Sequence, residues 1–204
     1  MTDDERRLAR MNAIRNRDAD WMEASLGRLP KPIRRPGLVL LIGLPGSGKS
    51  HFARELAKRY PAAVLDSDAL RGVLYKDPQH TEKEHGRVFP AINVLARRLL
   101  QRGVPVILDA TNLKEANRRS AYKLAVETGA RLAIVRVNAP FAVIRERLLA
   151  RGESRDPLDR STADLDVFEK MRGDYQRPRR RYFVVDTSRD MRVILDKIVA
   201  VLQS

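Results

Sequence analysis

Residues Gly43-Leu-Pro-Gly-Ser-Gly-Lys-Ser50 follow directly on an apolar run, Leu38–Ile42, and open a stretch of helical periodicity. This is the spacing G-x-x-x-x-G-K-[ST] in the strand-to-helix context that gives it meaning. Gly43, Gly46 and Gly48, with Pro45 and Ser47 between them, allow successive backbone N–H groups to curl around phosphate oxygens where a side chain would collide. A helix starting near Lys49 adds the positive end of its dipole. Lys49 is expected to bridge the β- and γ-phosphates of a nucleoside triphosphate, and the Ser50 hydroxyl to ligate Mg²⁺. His51 occupies the first helical turn at the edge of the same nucleotide site.

A second set of side chains has the types that a phosphoryl acceptor needs. Val64-Leu-Asp-Ser-Asp-Ala-Leu-Arg71 ends a strand candidate and begins a helix. Asp68 there is a candidate general base for an attacking hydroxyl, and Arg71, three residues on, shares its helical face and is a candidate acceptor ligand. Asp66 competes for the base role, and Asp68 behind Ser67 has the alternative of simply capping the helix. Asp109 ends the run Val104–Asp109, where a carboxylate can hold Mg²⁺; Thr111 and Asn112 beyond it read as caps for the next helix. Arg147 and Arg151 stand i,i+4 on one helical side, with Arg155 and Arg160 following. Guanidinium groups so placed can close over the transferred phosphoryl group, or form a solvated basic face.

These residues need a frame. Short apolar runs at 38–42, 62–66, 104–109, 131–137 and 182–186 alternate with helix-period segments at 49–59, 68–75, 81–101, 114–128, 140–151, 163–175 and 190–202. Such alternation, with continuous Val/Ile/Leu strands, predicts a parallel sheet covered on both faces, with ligands beyond the carboxyl ends of its strands. Residues 1–36 differ: Leu8, Met11, Ile14, Met22 and Leu26 recur at roughly helical spacing, and Leu29–Gly37, with three prolines, reads as a linker. The division is a helical extension over 1–36 and a catalytic domain over 37–204, with a lid near 145–161.

Composition narrows the rest. With 204 residues, 43% hydrophobic and 32% charged, the chain suits one sizeable domain plus an extension. No apolar run approaches the roughly 18 residues of a membrane span, and the acidic N-terminus lacks a secretory pattern, so a cytoplasmic location without membrane contact is expected. The absence of cysteine excludes thiol chemistry and Cys-ligated zinc, and three histidines form no metal-ligand pattern. Forty Lys and Arg, thirty-one of them Arg, against twenty-six acids give a formal charge of +14. That charge suits a polyanionic partner, and equally an arginine-rich composition left in solvent.

Taken together, G-L-P-G-S-G-K-S, D-S-D-A-L-R, L-D-A-T-N-L, the R-x-x-x-R pair and V-D-T at 185–187 resemble the P-loop kinases related to phage polynucleotide 5′-kinase, over about residues 37–204. The resemblance implies an α/β P-loop NTPase fold: a three-layer sandwich with a central, mainly parallel five-stranded sheet, helices on both faces and a helical lid. It implies ATP and Mg²⁺ at Lys49 and Ser50, Asp68 as base, Arg71 on the acceptor phosphate, and Arg147 and Arg151 in the lid. The Asp of D-A-T-N-L sits one position earlier than in the phage pattern, which favours a Mg²⁺ role for Asp109. The implied acceptor is the 5′-OH of RNA or DNA. D-x-x-R also resembles the spacing in adenylyl-sulfate and zeta-toxin-like kinases, so a small-molecule acceptor is the alternative. That alternative predicts a closed pocket from residues 72–95, shaped by Pro90. A third reading is a nucleotide-dependent switch or nucleic-acid-binding module, which needs no acceptor base. Thr187 and Arg189 are positional candidates for the base pocket; oligomeric state is not legible.

Overall fold

Five apolar runs form strands because Val, Ile and Leu fill a surface covered on both sides. They are β1 (Gly37–Ile42), β2 (Ala63–Asp66), β3 (Val106–Asp109), β4 (Arg131–Asn138) and β5 (Phe183–Asp186). The structure is a computed structural model that describes residues 2–153 and 165–204, the side chains of 151–153 excepted. Its sheet has the order β2-β3-β1-β4-β5, and every pairing is parallel. β1 is therefore central, buried at all six positions, and its carboxyl end lies between those of β3 and β4. Asp66 and Asp109 end neighbouring strands in register.

Strand periodicity divides the core in two. Leu38, Leu40, Ile42, Val106, Leu108 and Ile134 face one way, toward α4 (Glu82–Gln101) and α5 (Glu115–Thr128). Val39, Leu41, Ile107, Ala133 and Val135 face the other, against α2 (Lys49–Arg59) and α8 (Arg192–Gln203). The expected three-layer α/β sandwich of the P-loop NTPase class is thus the observed one, with a wholly parallel sheet. Three shorter or peripheral helices complete it: α3 (Ser67–Leu74), α6 (Phe141–Glu153) and α7 (Leu165–Arg172). A small cluster of Ile144, Leu148 and Phe168 joins α6 to α7. Pro90, expected to interrupt its segment, lies inside a continuous α4; a single proline removes one ladder donor, and the helix's buried apolar stripe outweighs that loss.

The N-terminal segment forms one long helix, α1 (Asp3–Ser25), started by a capping box between Thr2 and Glu5. Its second half packs against α4 and α3 and buries Ala19 and Met22 in the same cluster as β1. Asp18, with no exposed surface, accepts from Arg87 Nε and Nη2 at 2.7 and 2.9 Å. Its first half stands in solvent, with Leu8 55% exposed. The proline-rich connection is fastened to the body by Ile33 N–H to Gly103 O (2.8 Å) and Arg131 N–H to Pro36 O (3.2 Å).

Candidate active site

The phosphate loop occupies the turn between β1 and α2. Gly48 N-caps α2 at φ +87°, left-handed backbone that favours glycine, and a Cβ there would lie 2.7 Å from Thr187 Oγ1. At Gly43 a Cβ would meet Val137 O at 2.5 Å. The loop is therefore pressed between β4 and the residues after β5. Lys49 Nζ donates to Leu44 O at 3.0 Å, which curls the ammonium over the loop it serves. Ser47 Oγ is buried without a hydrogen-bond partner among the described residues. A cradle of small residues, a lysine and an unsatisfied hydroxyl fits a triphosphate.

Two elements bring oxygen ligands beside it. Asp109, 3% exposed at the end of β3, is hydrogen-bonded to Ser50, and its Oδ2 is buried without a partner among the described residues. Burial pushes this carboxyl up to about 6, against the pull of Lys49. A buried carboxylate next to a helix-start hydroxyl, one oxygen unsatisfied, is the donor set Mg²⁺ takes alongside phosphates and water. No three His, Cys, Asp or Glu side chains cluster as a metal site among the described residues, so phosphate and water oxygens must complete any such coordination.

The carboxylates after β2 have separate tasks. Asp66 is the N-cap of α3, its Oδ1 accepting from the N–H groups of Asp68 (2.9 Å) and Ala69 (3.1 Å). Capping thus falls to Asp66 rather than Asp68. Asp68 lines the cavity, and burial, reinforced by neighbouring Asp66, raises its carboxyl above the ordinary range, opposed by His80, Lys49 and Arg71. His80 holds a left-handed backbone (φ +53°) with Nδ1 4.0 Å from Asp68 Oδ1. Its N–H and that of Gln79 donate to Glu84 at 2.8 and 2.9 Å. The same carboxylate accepts from Arg71 Nη1 at 3.1 Å, in a pair whose side chains are 2% and 9% exposed. Neither Glu84 nor His80 stood out in the sequence. The T-E-K-E run after a loop held the signal for a capping segment, but the partner of Arg71 lies thirteen residues away.

Asn112 and Thr111, expected as caps, act otherwise. Asn112, at φ +46°, sends Nδ2 to Leu41 O at 2.8 Å, while Gly43 N–H donates to Thr111 O at 3.1 Å. They tie the Asp109 turn to the phosphate loop, and the N-cap of α5 is instead Lys114, with Gln176 Oε1 accepting from Glu115 N–H. Arg118, fully buried, fastens this turn by donating to Asn112 O, Leu113 O and Gln176 O.

Arg147, on α6, donates from Nη1 to Thr187 Oγ1 (2.8 Å) and Gly46 O (3.3 Å), and from Nη2 to Thr187 O (3.1 Å). It therefore spans the phosphate loop and the turn after β5. Thr187 Oγ1 in turn donates to Ser47 O at 2.8 Å, whereas Arg189 is exposed and pairs with Asp186. The side chain of Arg151, and Arg155 and Arg160 with the rest of the lid segment from 154, lie outside the described residues. Pro45, Gly46, Gly48, Lys49, Ser50 and His51 all border one cavity of about 1520 Å³, shared with Asp68, Arg71, Asp109 and Arg147. Its far wall comes from residues 78–93, Pro90 included.

Comparison with known proteins finds kinases among the relatives of this chain. The adenylyl-sulfate kinase of Myxococcus xanthus (strain DK1622) is 34% identical over 119 residues, 56% of this chain and 64% of the relative. The L-seryl-tRNA(Sec) kinase of Methanococcus maripaludis is 28% identical over 118 residues, 57% of this chain and 46% of the relative. The chain thus spans about half to two thirds of the length of these relatives. The solved structure of the Mycobacterium tuberculosis APS kinase in complex with AMPPNP and APS shares the fold, with TM-score 0.62 and 23% identity over 85% of this chain and all of that one. No helix among the described residues is long and apolar enough to cross a membrane. Residues 38–178 match the model of the AAA domain family AAA_33, and the chain belongs to that family.

Proposed function

We propose that the domain is an ATP- and Mg²⁺-dependent kinase that moves the γ-phosphoryl group to the hydroxyl of a small acceptor. The observation that carries this reading is Asp68: a half-buried carboxylate, relieved of capping by Asp66, lining the cavity that holds Lys49, Ser50 and Asp109. The phosphate loop grips the triphosphate, with Lys49 on its terminal phosphates. Ser50 and Asp109 would hold Mg²⁺, which would supply charge screening for the phosphate oxygens. Asp68 accepts the acceptor's proton as the acceptor oxygen bonds to γ-phosphorus and the bond to the β-phosphate oxygen breaks, leaving ADP. Arg147 braces the loop against Thr187 and, with Arg151, serves the developing charge. Both kinase relatives named above transfer to hydroxyl-bearing acceptors by name, and ATP chemistry of this kind suits a cytoplasmic location.

For the acceptor, the wall built from residues 78–93, which borders the same cavity as Asp68, favours a small molecule. The 5′-OH of RNA or DNA is the second reading, supported by the +14 charge. A switch lacking an acceptor has no use for such a base. Incubation with γ-labelled ATP and Mg²⁺, a panel of small hydroxyl compounds and 5′-OH oligonucleotides tests the reading. Lys49→Ala abolishes transfer, and Asp68→Asn keeps ATP affinity while transfer falls about 10²- to 10⁴-fold. Undiminished transfer by Asp68→Asn removes Asp68 as the base.

A further inference from the structure

On the acceptor side of the cavity the described Arg and Lys side chains are each paired with a carboxylate. Its described lining includes the carboxylates Asp66, Asp68, Glu82 and Asp174, with Arg71 and Lys114 among its Arg and Lys side chains. Both cations are committed: Arg71 to Glu84 at 3.1 Å, and Lys114 to Asp174 at 3.2 Å. Lys49 and Arg147 belong to the phosphate loop and Thr187, and Arg54 stands on α2 beyond the nucleotide side. His85 is held below its ordinary value chiefly by burial, so it is neutral near pH 7.

The Arg71–Glu84 pair decides the chemistry. Glu84 uses one oxygen for Gln79 N–H and the other for His80 N–H and Arg71, so its carboxylate is fully engaged in its charged form. The guanidinium is neutralised where an anionic acceptor would need it. One group of Arg71 remains: Nε–H is buried without a hydrogen-bond partner among the described residues, on a side chain that lines the cavity. A single donor whose charge is already balanced fits a neutral oxygen, a hydroxyl or ether. An anion in the same place would face Asp68 and its neighbour Asp66 beside an Arg71 whose charge Glu84 already balances.

We infer that the acceptor is an uncharged or amine-bearing polyhydroxyl compound, carrying no phosphate, sulfate or carboxylate group, and that Glu84 sets this preference by neutralising Arg71. The inference rests on the kinase reading for the word acceptor, but not for the charge of the pocket. It runs against both the polynucleotide acceptor that the resemblance implies and an acceptor like adenylyl sulfate.

The test uses inorganic sulfate as the anion probe and the whole chain with Mg²⁺ and a non-hydrolysable ATP analogue bound, so that the phosphate loop is filled. Sulfate is titrated while the ¹⁵N NMR signal of Arg71 Nε–H is followed. In the wild type that signal stays in place at sulfate concentrations that saturate Glu84→Gln, which binds roughly tenfold or more tightly. A wild-type Arg71 signal that moves with sulfate as readily as that of Glu84→Gln overturns the inference. Should Glu84→Gln fail to fold, adenosine 3′-phosphate serves as a second probe on the wild type: displacement of the Arg71 signal by it, but not by adenosine, has the same force. In parallel, label from γ-labelled ATP is offered to glucose, glucosamine and gluconate, one skeleton in neutral, amine and anionic form, and to adenosine and its 3′-phosphate. Preference for an anionic member over its neutral twin also overturns the inference. Failure of transfer to every compound, with ATP bound, counts against the kinase reading alone, because the sulfate titration still reports the pocket.

Discussion

Asp66 and Asp68 stand two positions apart and differ in what the backbone asks of them. Asp66 satisfies the first N–H groups of α3, which leaves Asp68 the cavity. The sequence offers both carboxylates without saying which is the cap, because that depends on where the helix starts. The ordering has a pH consequence. Burial and Asp66 raise the Asp68 carboxyl, so the base is protonated, and transfer lost, as pH falls through a value above the ordinary carboxylate range. The acid limb of kcat is therefore expected above that of a solvent-exposed Asp, and a limb at or below the ordinary value speaks against Asp68 as the group observed. Gly48 gives a second residue-scale expectation. Gly48→Ala forces a side chain into left-handed backbone 2.7 Å from Thr187 Oγ1, costing roughly 1–3 kcal/mol of stability. Thermal denaturation and nucleotide titration together should show both stability and ATP affinity reduced, whereas Gly72→Ala, on α3 with open space around its Cβ position, leaves stability unchanged or slightly raised.

At the scale of elements, period-2 and period-3.6 patterns placed five strands and seven helices close to where they lie, because each element has one dominant apolar face. The β1–loop–α2 unit was legible in full, since its glycines, lysine and flanking runs are contiguous. Residues that act across elements were not: Glu84 reaches Arg71, Asn112 reaches Leu41 O, and Arg118 gathers three carbonyls from two segments. The arm showed the same limit. Its helical spacing is weak, and its anchor, Asp18 on Arg87, spans 69 residues. Asp18 is held below the ordinary carboxylate range, first by its hydrogen bond to Arg87. Its contribution to stability is therefore fully present above the unfolded carboxyl's pKa and lost as pH falls through the lowered folded value. Asp18→Asn is expected to cost about 1–3 kcal/mol at neutral pH. Urea unfolding of both proteins at neutral and strongly acidic pH should show the difference shrinking in acid. An equal difference at both pH values would mean that packing, not charge, fastens α1.

At the scale of the whole molecule, charge is distributed by task. Many of the arginines are paired on the surface, as Arg59 is with Asp196, Arg98 with Asp20 and Arg102 with Glu23, yet the chain keeps a formal +14. The exposed first half of α1 carries Arg6, Arg7 and Arg10, with no matching acid beyond its first turn until Asp18. Such a surface attracts nucleic acid by releasing counterions, without any demand on the strand's end. On the acceptor side of the cavity, Arg71 is neutralised by Glu84 and Lys114 by Asp174, so a polyanion meets no such attraction there. Association with polyanions and phosphoryl transfer should therefore separate. A 5′-OH oligonucleotide and its 5′-phosphorylated twin are expected to bind equally at low salt, with affinity falling roughly 10- to 100-fold between about 50 and 200 mM salt. Neither should gain label from ATP nor slow transfer to a small acceptor once salt has released it. Filter binding across salt, run beside the transfer assay, measures both. Tighter binding of the 5′-OH strand, or label at its end, would put the terminal hydroxyl in front of Asp68 and make the basic surface part of substrate recognition.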